Sequence, residues 1–129
     1  MAKPRREPSK ARAERNETRK EGIVLIPLKY NDGSEVPIAV LDAICEEMFL
    51  AFDGWTIEGT VEGAYRMHSG EKCVEKLMKV SIILKESQAR TLEKMVARWG
   101  AQLGQETMLL KMSDYIVKFI PPQTEVQES

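Results

Sequence analysis

The run Trp55-Thr56-Ile57-Glu58-Gly59-Thr60-Val61-Glu62-Gly63-Ala64-Tyr65-Arg66-Met67 decides the fold. Trp55, Ile57, Gly59, Val61, Gly63, Tyr65 and Met67 share one parity. The polar Thr56, Glu58, Thr60, Glu62 and Arg66 share the other, with Ala64. A period of two is that of a strand with one buried and one wet face. The odd residues, Trp55 and Tyr65 among them, are expected on the core side. The interspersed glycines mark strong twist or close approach.

Working outward, the period changes on both sides. Upstream, Ile38, Leu41, Ile44, Cys45, Met48, Phe49 and Phe52 recur at spacings of three and four, the stripe of an amphipathic helix. Pro37 suits its first turn and Asp53-Gly54 its end. Before it, Ile23-Val24-Leu25-Ile26-Pro27-Leu28-Lys29-Tyr30 is short, apolar and β-branched, hence a strand closed by Asn31-Asp32-Gly33-Ser34. Downstream, His68-Ser69-Gly70-Glu71 reads as a hairpin turn. A third strand follows from Cys73 to Lys85, with Val74, Met78, Val80, Ile82 and Leu84 on its core parity. Ser87 is a natural N-cap for a second helix with the stripe Ala89, Leu92, Met95, Val96, Trp99 and Leu103, ended by Gly104. A last strand is expected from Glu106. Ser113-Asp114 predicts either a bulge or a turn into a fifth strand, Tyr115–Ile120.

The order β-α-β-β-α-β predicts an α+β, ferredoxin-like sandwich: a four-stranded antiparallel sheet, with or without a fifth strand, and two helices on one face. The expected organisation is a disordered basic arm over residues 1–21, the sandwich over 22–120 and a disordered tail over 121–129. Residues 1–22 carry eight Lys/Arg against four Glu, with very few apolar side chains to order them.

The whole chain of 129 residues carries 19 basic and 20 acidic side chains, so it is no polycation. It is long enough for one domain. No apolar run reaches the ~18–20 residues of a membrane span, and the N-terminus lacks the apolar core of a secretory signal. The expected location is the cytoplasm, with no membrane partner. Cys45 and Cys73 have no CxxC spacing, and His68 is the single histidine. Neither a zinc site nor a disulfide is expected. No GxxxxGK[ST] or GxGxxG motif occurs, so nucleotide hydrolysis and dinucleotide binding have no support. Neither a catalytic triad nor a carboxylate dyad is indicated, and no cofactor is implied.

Parity also defines the sheet face turned away from the helices. Ile23, Leu25, Leu77, Ile83 and Leu109 make its middle apolar. Such a patch is large for a monomer, and a symmetric homodimer is the expected covering, with the segment Tyr115–Ile120 folded back over it as the alternative. No aromatic residue is expected on this face, which argues against base stacking on the central strands. Nucleic acid is then left to the basic arm. One cluster has ligand-binding chemistry: Trp55, Tyr65, Arg66, Gln105 and Glu106 join two amphipathic rings to an amide, a carboxylate and a guanidinium.

Thr56–Tyr65 and Leu103–Leu109 resemble the motifs of an uncharacterised family of small bacterial ferredoxin-like proteins. These have a Thr…Gly-aromatic strand after the first helix and a Gln-Glu-Ser/Thr-apolar strand after the second. Gly63-Ala64-Tyr65 departs from a directly adjacent Gly-aromatic pair. The resemblance covers about Ile23 to Ile120. It implies the fold and carries no activity.

Three functions follow as expectations. The first is a non-enzymatic dimeric module for a small ligand or protein partner. The second is a small dimeric α+β barrel-type enzyme using Glu106, Tyr65 and Arg66. The third is a nucleic-acid accessory protein acting through residues 1–21.

Overall fold

The computed structural model describes residues 15–123. The elements are β1 (Arg15–Pro27), α1 (Ile38–Ala51), β2 (Trp55–Arg66), β3 (Lys72–Leu84), a 3-10 turn (Glu86–Gln88), α2 (Ala89–Gln102) and β4 (Leu110–Phe119). The four strands form one antiparallel sheet in the order β2-β3-β1-β4. This is the ferredoxin-like α+β arrangement, with β1 and β3 central.

Both helices cover one face. Val24, Ile26, Met78, Val80, Ile82 and Leu84 of the central strands pack with Ile44, Met48, Leu92, Met95, Val96 and Trp99. Trp99 is fully buried and donates its indole N–H to Glu47 Oε1 at 2.5 Å. Glu47 also accepts from Arg98 at 3.1 and 3.2 Å, so one carboxylate ties α1 to α2. The α2 stripe packs as its spacing predicts. The α1 stripe is narrower than expected: Ile38 and Phe49 are 74% and 58% exposed, because they lie at the margins of the contact centred on Ile44 and Met48.

Several boundaries differ from the sequence reading, among them the end of β1, which stops at Pro27 and not at Tyr30. Strand β1 begins at Arg15, so residues 15–21 belong to the sheet and not to an arm. Their ladder to Ser113–Phe119 supplies the partner that local composition does not reveal. Residues 1–14 of the expected arm and 124–129 of the expected tail lie outside the described residues. Strand β4 starts at Leu110, four residues later than expected, and runs without a break to Phe119. Ser113 and Asp114 neither bulge nor turn, because they pair with Glu21 and Lys20. The Lys20 ammonium meets Asp114 at 2.7 Å, which raises its pKa. There is accordingly no separate fifth strand at Tyr115–Ile120.

A further difference decides which way Tyr65 faces. Strand β2 carries a β-bulge: Ile57 is opposite Val80, Gly59 is opposite Lys79, and Glu58 is the extra residue. Gly59 sits at φ +117°, a conformation that a side chain strongly disfavours. One inserted residue inverts the facing of everything beyond it. Trp55 and Ile57 pair with Ile82 and Val80 on the helix side, as expected. Val61, Gly63 and Tyr65 pair with Leu77, Glu75 and Cys73, on the open side. Tyr65 is therefore not a core residue, and Thr60 and Glu62 do not belong to the open face.

Candidate functional site

The bulge places Tyr65 at the mouth of a cavity of about 400 Å³ on the open face. Its floor is Leu25, Pro27 and Leu77 of the two central strands. One wall is Tyr65 with Glu75. The opposite wall is Thr107 to Leu109, ahead of β4, and Arg66 and Gln105 complete the lining. Leu77 and Pro27 are buried and Leu25 is half-buried, so the floor is apolar. Apolar walls with a few convergent polar groups are the usual makeup of a small-molecule site.

Tyr65 and Glu75 carry the polar groups of the near wall. Partial burial, then the adjoining Cys73 thiol and the Glu75 carboxylate, push the phenol pKa up, so the hydroxyl stays protonated as a donor. Cys73 is directly opposite Tyr65 in the ladder, and Glu75 lies two residues further along the same face. Both cysteines are free; Cys45 is buried, and burial raises its thiol pKa. Further along the open face, Glu58 pairs with Lys79 at 3.2 Å, and a hydrogen bond with Ser81 and the Lys79 charge lower its pKa.

The far wall is built by the end of α2. Gly104 takes φ +68°, its N–H donates to Ala101 O at 3.2 Å, and the Gln105 N–H donates to Gly100 O at 2.9 Å. These two bonds are a Schellman motif, and they stop the helix and fix Gln105. The Gln105 amide donates from Nε2 to Leu103 O at 3.2 Å and to Asn31 Oδ1 at 3.4 Å, and Asn31 Nδ2 donates to Gly104 O at 2.7 Å.

Of the five predicted ligand-binding residues, Tyr65, Arg66 and Gln105 line this cavity. Trp55 does not. It lies before the bulge, packs against the core, and its indole N–H is buried without a partner. Glu106 faces a different recess beside α2, and its carboxylate accepts the His68 backbone N–H at 3.2 Å, holding the β2–β3 hairpin. Glu75, and not Glu106, is the carboxylate that lines this cavity. Its signal in the sequence was its shared parity with Leu77, which lay in the open-face set.

The expected apolar patch is present on the open face. Ile83 and Leu109 are 43% and 48% exposed, Ile23 and Leu25 are half-buried, and Leu77 is buried. The expectation of no aromatic there is corrected: Tyr65, Tyr115 and Phe119 share this face, all on the outer strands. The central strands carry none at their open-face positions. A wider groove of about 800 Å³ lies beside the hairpin and the Tyr30–Val36 loop, and its rim mixes Lys29 and Lys76 with Glu35 and Glu62. Among the described residues no group of three or more His, Cys, Asp or Glu is placed to hold a metal ion, and no helix is long and apolar enough to cross a membrane.

No family model matches this chain, and no curated protein matches it. Among solved structures it is similar to a phage SAM lyase in complex with S-methyl-5′-thioadenosine. The identity is 14%, the TM-score is 0.57, and the match covers 85% of this chain and 93% of that one. At that identity the likeness is one of fold.

Proposed function

We propose that this protein binds S-adenosylmethionine in the open-face cavity and cleaves it to S-methyl-5′-thioadenosine. The observation that carries the reading is the Tyr65–Glu75 pair on the wall of a cavity of about 400 Å³ with an apolar floor. The substrate is a sulfonium cation, and a carboxylate beside an aromatic ring is the pairing that recognises such a charge. Arg66 at the rim is the cation for the substrate's carboxylate. The similar fold of a phage lyase that binds the same product supports the choice of ligand.

The chemistry needs little from the protein. The methionyl carboxylate of the substrate attacks its own Cγ. An O–C bond forms, the C–S bond breaks, and the electron pair moves to sulfur. The products are a five-membered lactone and a neutral thioether, with no proton or water consumed. Opposite charges are annihilated along the way, and an apolar floor favours such a step over water. Glu75 then acts in binding and orientation, and Leu25, Pro27 and Leu77 in excluding solvent.

The cavity opens on the face whose Ile83, Leu109, Tyr115 and Phe119 are exposed. A second copy seated there, as the apolar patch leads one to expect, would roof the site.

The test is to incubate the purified protein with S-adenosylmethionine and follow both products by chromatography. Appearance of thioether and lactone in equal amounts is expected. Glu75→Gln should weaken S-adenosylmethionine about tenfold or more and leave the neutral thioether nearly unaffected. Tight binding of both ligands without turnover would overturn the lyase and leave a ligand-binding module. No binding of either would overturn the whole reading.

A further inference from the structure

We propose that Gln105 is the residue that selects the adenine base, through its side-chain carbonyl Oε1. The inference rests on the cavity being a site for adenosyl ligands and says which atom reads the base. Gln105 lines the cavity together with Tyr65, Glu75 and the Leu25–Pro27–Leu77 floor. Its backbone is pinned by the bond to Gly100 O, and its amide N–H₂ is committed to Leu103 O and Asn31 Oδ1. A backbone carbonyl accepts only from a donor, so the bond to Leu103 O fixes which end of the amide is nitrogen. Asn31 is itself anchored to Gly104 O, so the relay is held at both ends.

That relay leaves Oε1 as the one atom of the amide with no protein partner among the described residues. An acceptor held in place through its own amide nitrogen, on a residue that lines the cavity, calls for a donor on the ligand. The exocyclic amine of adenine is such a donor. Hypoxanthine carries a carbonyl at that position and would set two acceptors against each other. The remaining end of the ligand then falls toward Tyr65 and Glu75, where the sulfonium is read. Gln105 is thus a specificity residue, and Asn31 is a positioning residue that acts through it.

The experiment compares two probes by calorimetry, S-methyl-5′-thioadenosine and S-methyl-5′-thioinosine, on the full chain. The wild type should prefer the adenine form by about tenfold or more. Gln105→Leu should bring the preference to within about twofold. Asn31→Ala keeps Oε1 but frees it, and should give an intermediate preference. Thermal unfolding of each variant identifies any that fails to fold, and the wild-type preference decides the matter without them. Equal affinity of the wild type for both probes overturns the inference while leaving the cavity reading intact. So does a full preference kept by a folded Gln105→Leu. Failure of the wild type to bind either probe overturns the cavity reading and this inference with it.

Discussion

The two faces of the one sheet differ in what their residues are for. On the helix face, Val24, Ile26, Val80 and Ile82 have no exposed surface and meet the stripes of α1 and α2. On the open face, the alternate residues of the same strands are half-buried or exposed except for Leu77, Ser81 and Pro27. The helix face is closed by packing, and the open face is shaped by one bulge. Stability therefore resides on the first, and the proposed ligand site lies on the second.

The sharpest way to break the comparison is to truncate one residue on each face. Trp99→Ala should cost about 3–5 kcal/mol, because it empties the largest buried site and leaves Glu47 without its indole donor. Ile83→Ala on the open face should cost under about 1 kcal/mol. Urea unfolding of both variants checks this; equal losses would mean that the open face is as closely packed as the core.

The bulge offers the next largest effect. Gly59→Val forces a β-branched residue to φ +117°, a strain of about 1–3 kcal/mol, or it expels the bulge. Expulsion would return Tyr65 to the helix side. Loss of ligand binding beyond what the fall in stability explains is the expected result. Unchanged binding would show that the facing of Tyr65 does not depend on Gly59.

Leu109→Asp should change the stability of a single chain by under about 1 kcal/mol, since Leu109 is 48% exposed. It should still abolish self-association, read by light scattering after size-exclusion chromatography. A wild type that is monomeric at tens of micromolar would remove the second copy from the proposal.

The smallest effect is spectroscopic. Because the folded Tyr65 pKa lies above its ordinary value near 10, its contribution to stability is complete below that pH. It declines as the pH rises further, since the unfolded chain ionises while the folded one does not. In an ultraviolet titration one of the three tyrosines should ionise later than the ordinary range. Glu75→Gln should bring it down, and no change in that variant would separate the two groups.

Much of this was legible from period and punctuation alone. The helix stripes, the hairpin at His68–Glu71, the Gly104 stop and the apolar open-face set of Ile23, Leu25, Leu77, Ile83 and Leu109 all follow from local pattern. The cavity was legible by halves. It gathers Tyr65, Arg66 and Gln105, whose chemistry stands out in the sequence, together with Glu75, while Trp55 packs against the core and Glu106 lines another recess. The facing of Tyr65 does not follow from alternation, because the bulge inverts it.

The sequence by itself determined the element order and the sheet-on-helices layering, because periods of two and 3.6 are set by local backbone geometry. It also held Gly59, the residue that makes the bulge affordable. Only the tertiary structure decided that a bulge forms there, since a bulge is a relation between two strands and alternation within one strand continues unbroken through it. The same reason explains residues 15–21. Their composition cannot form a core, and they become a strand because Ser113–Phe119, far away in sequence, offers the ladder that satisfies their backbone.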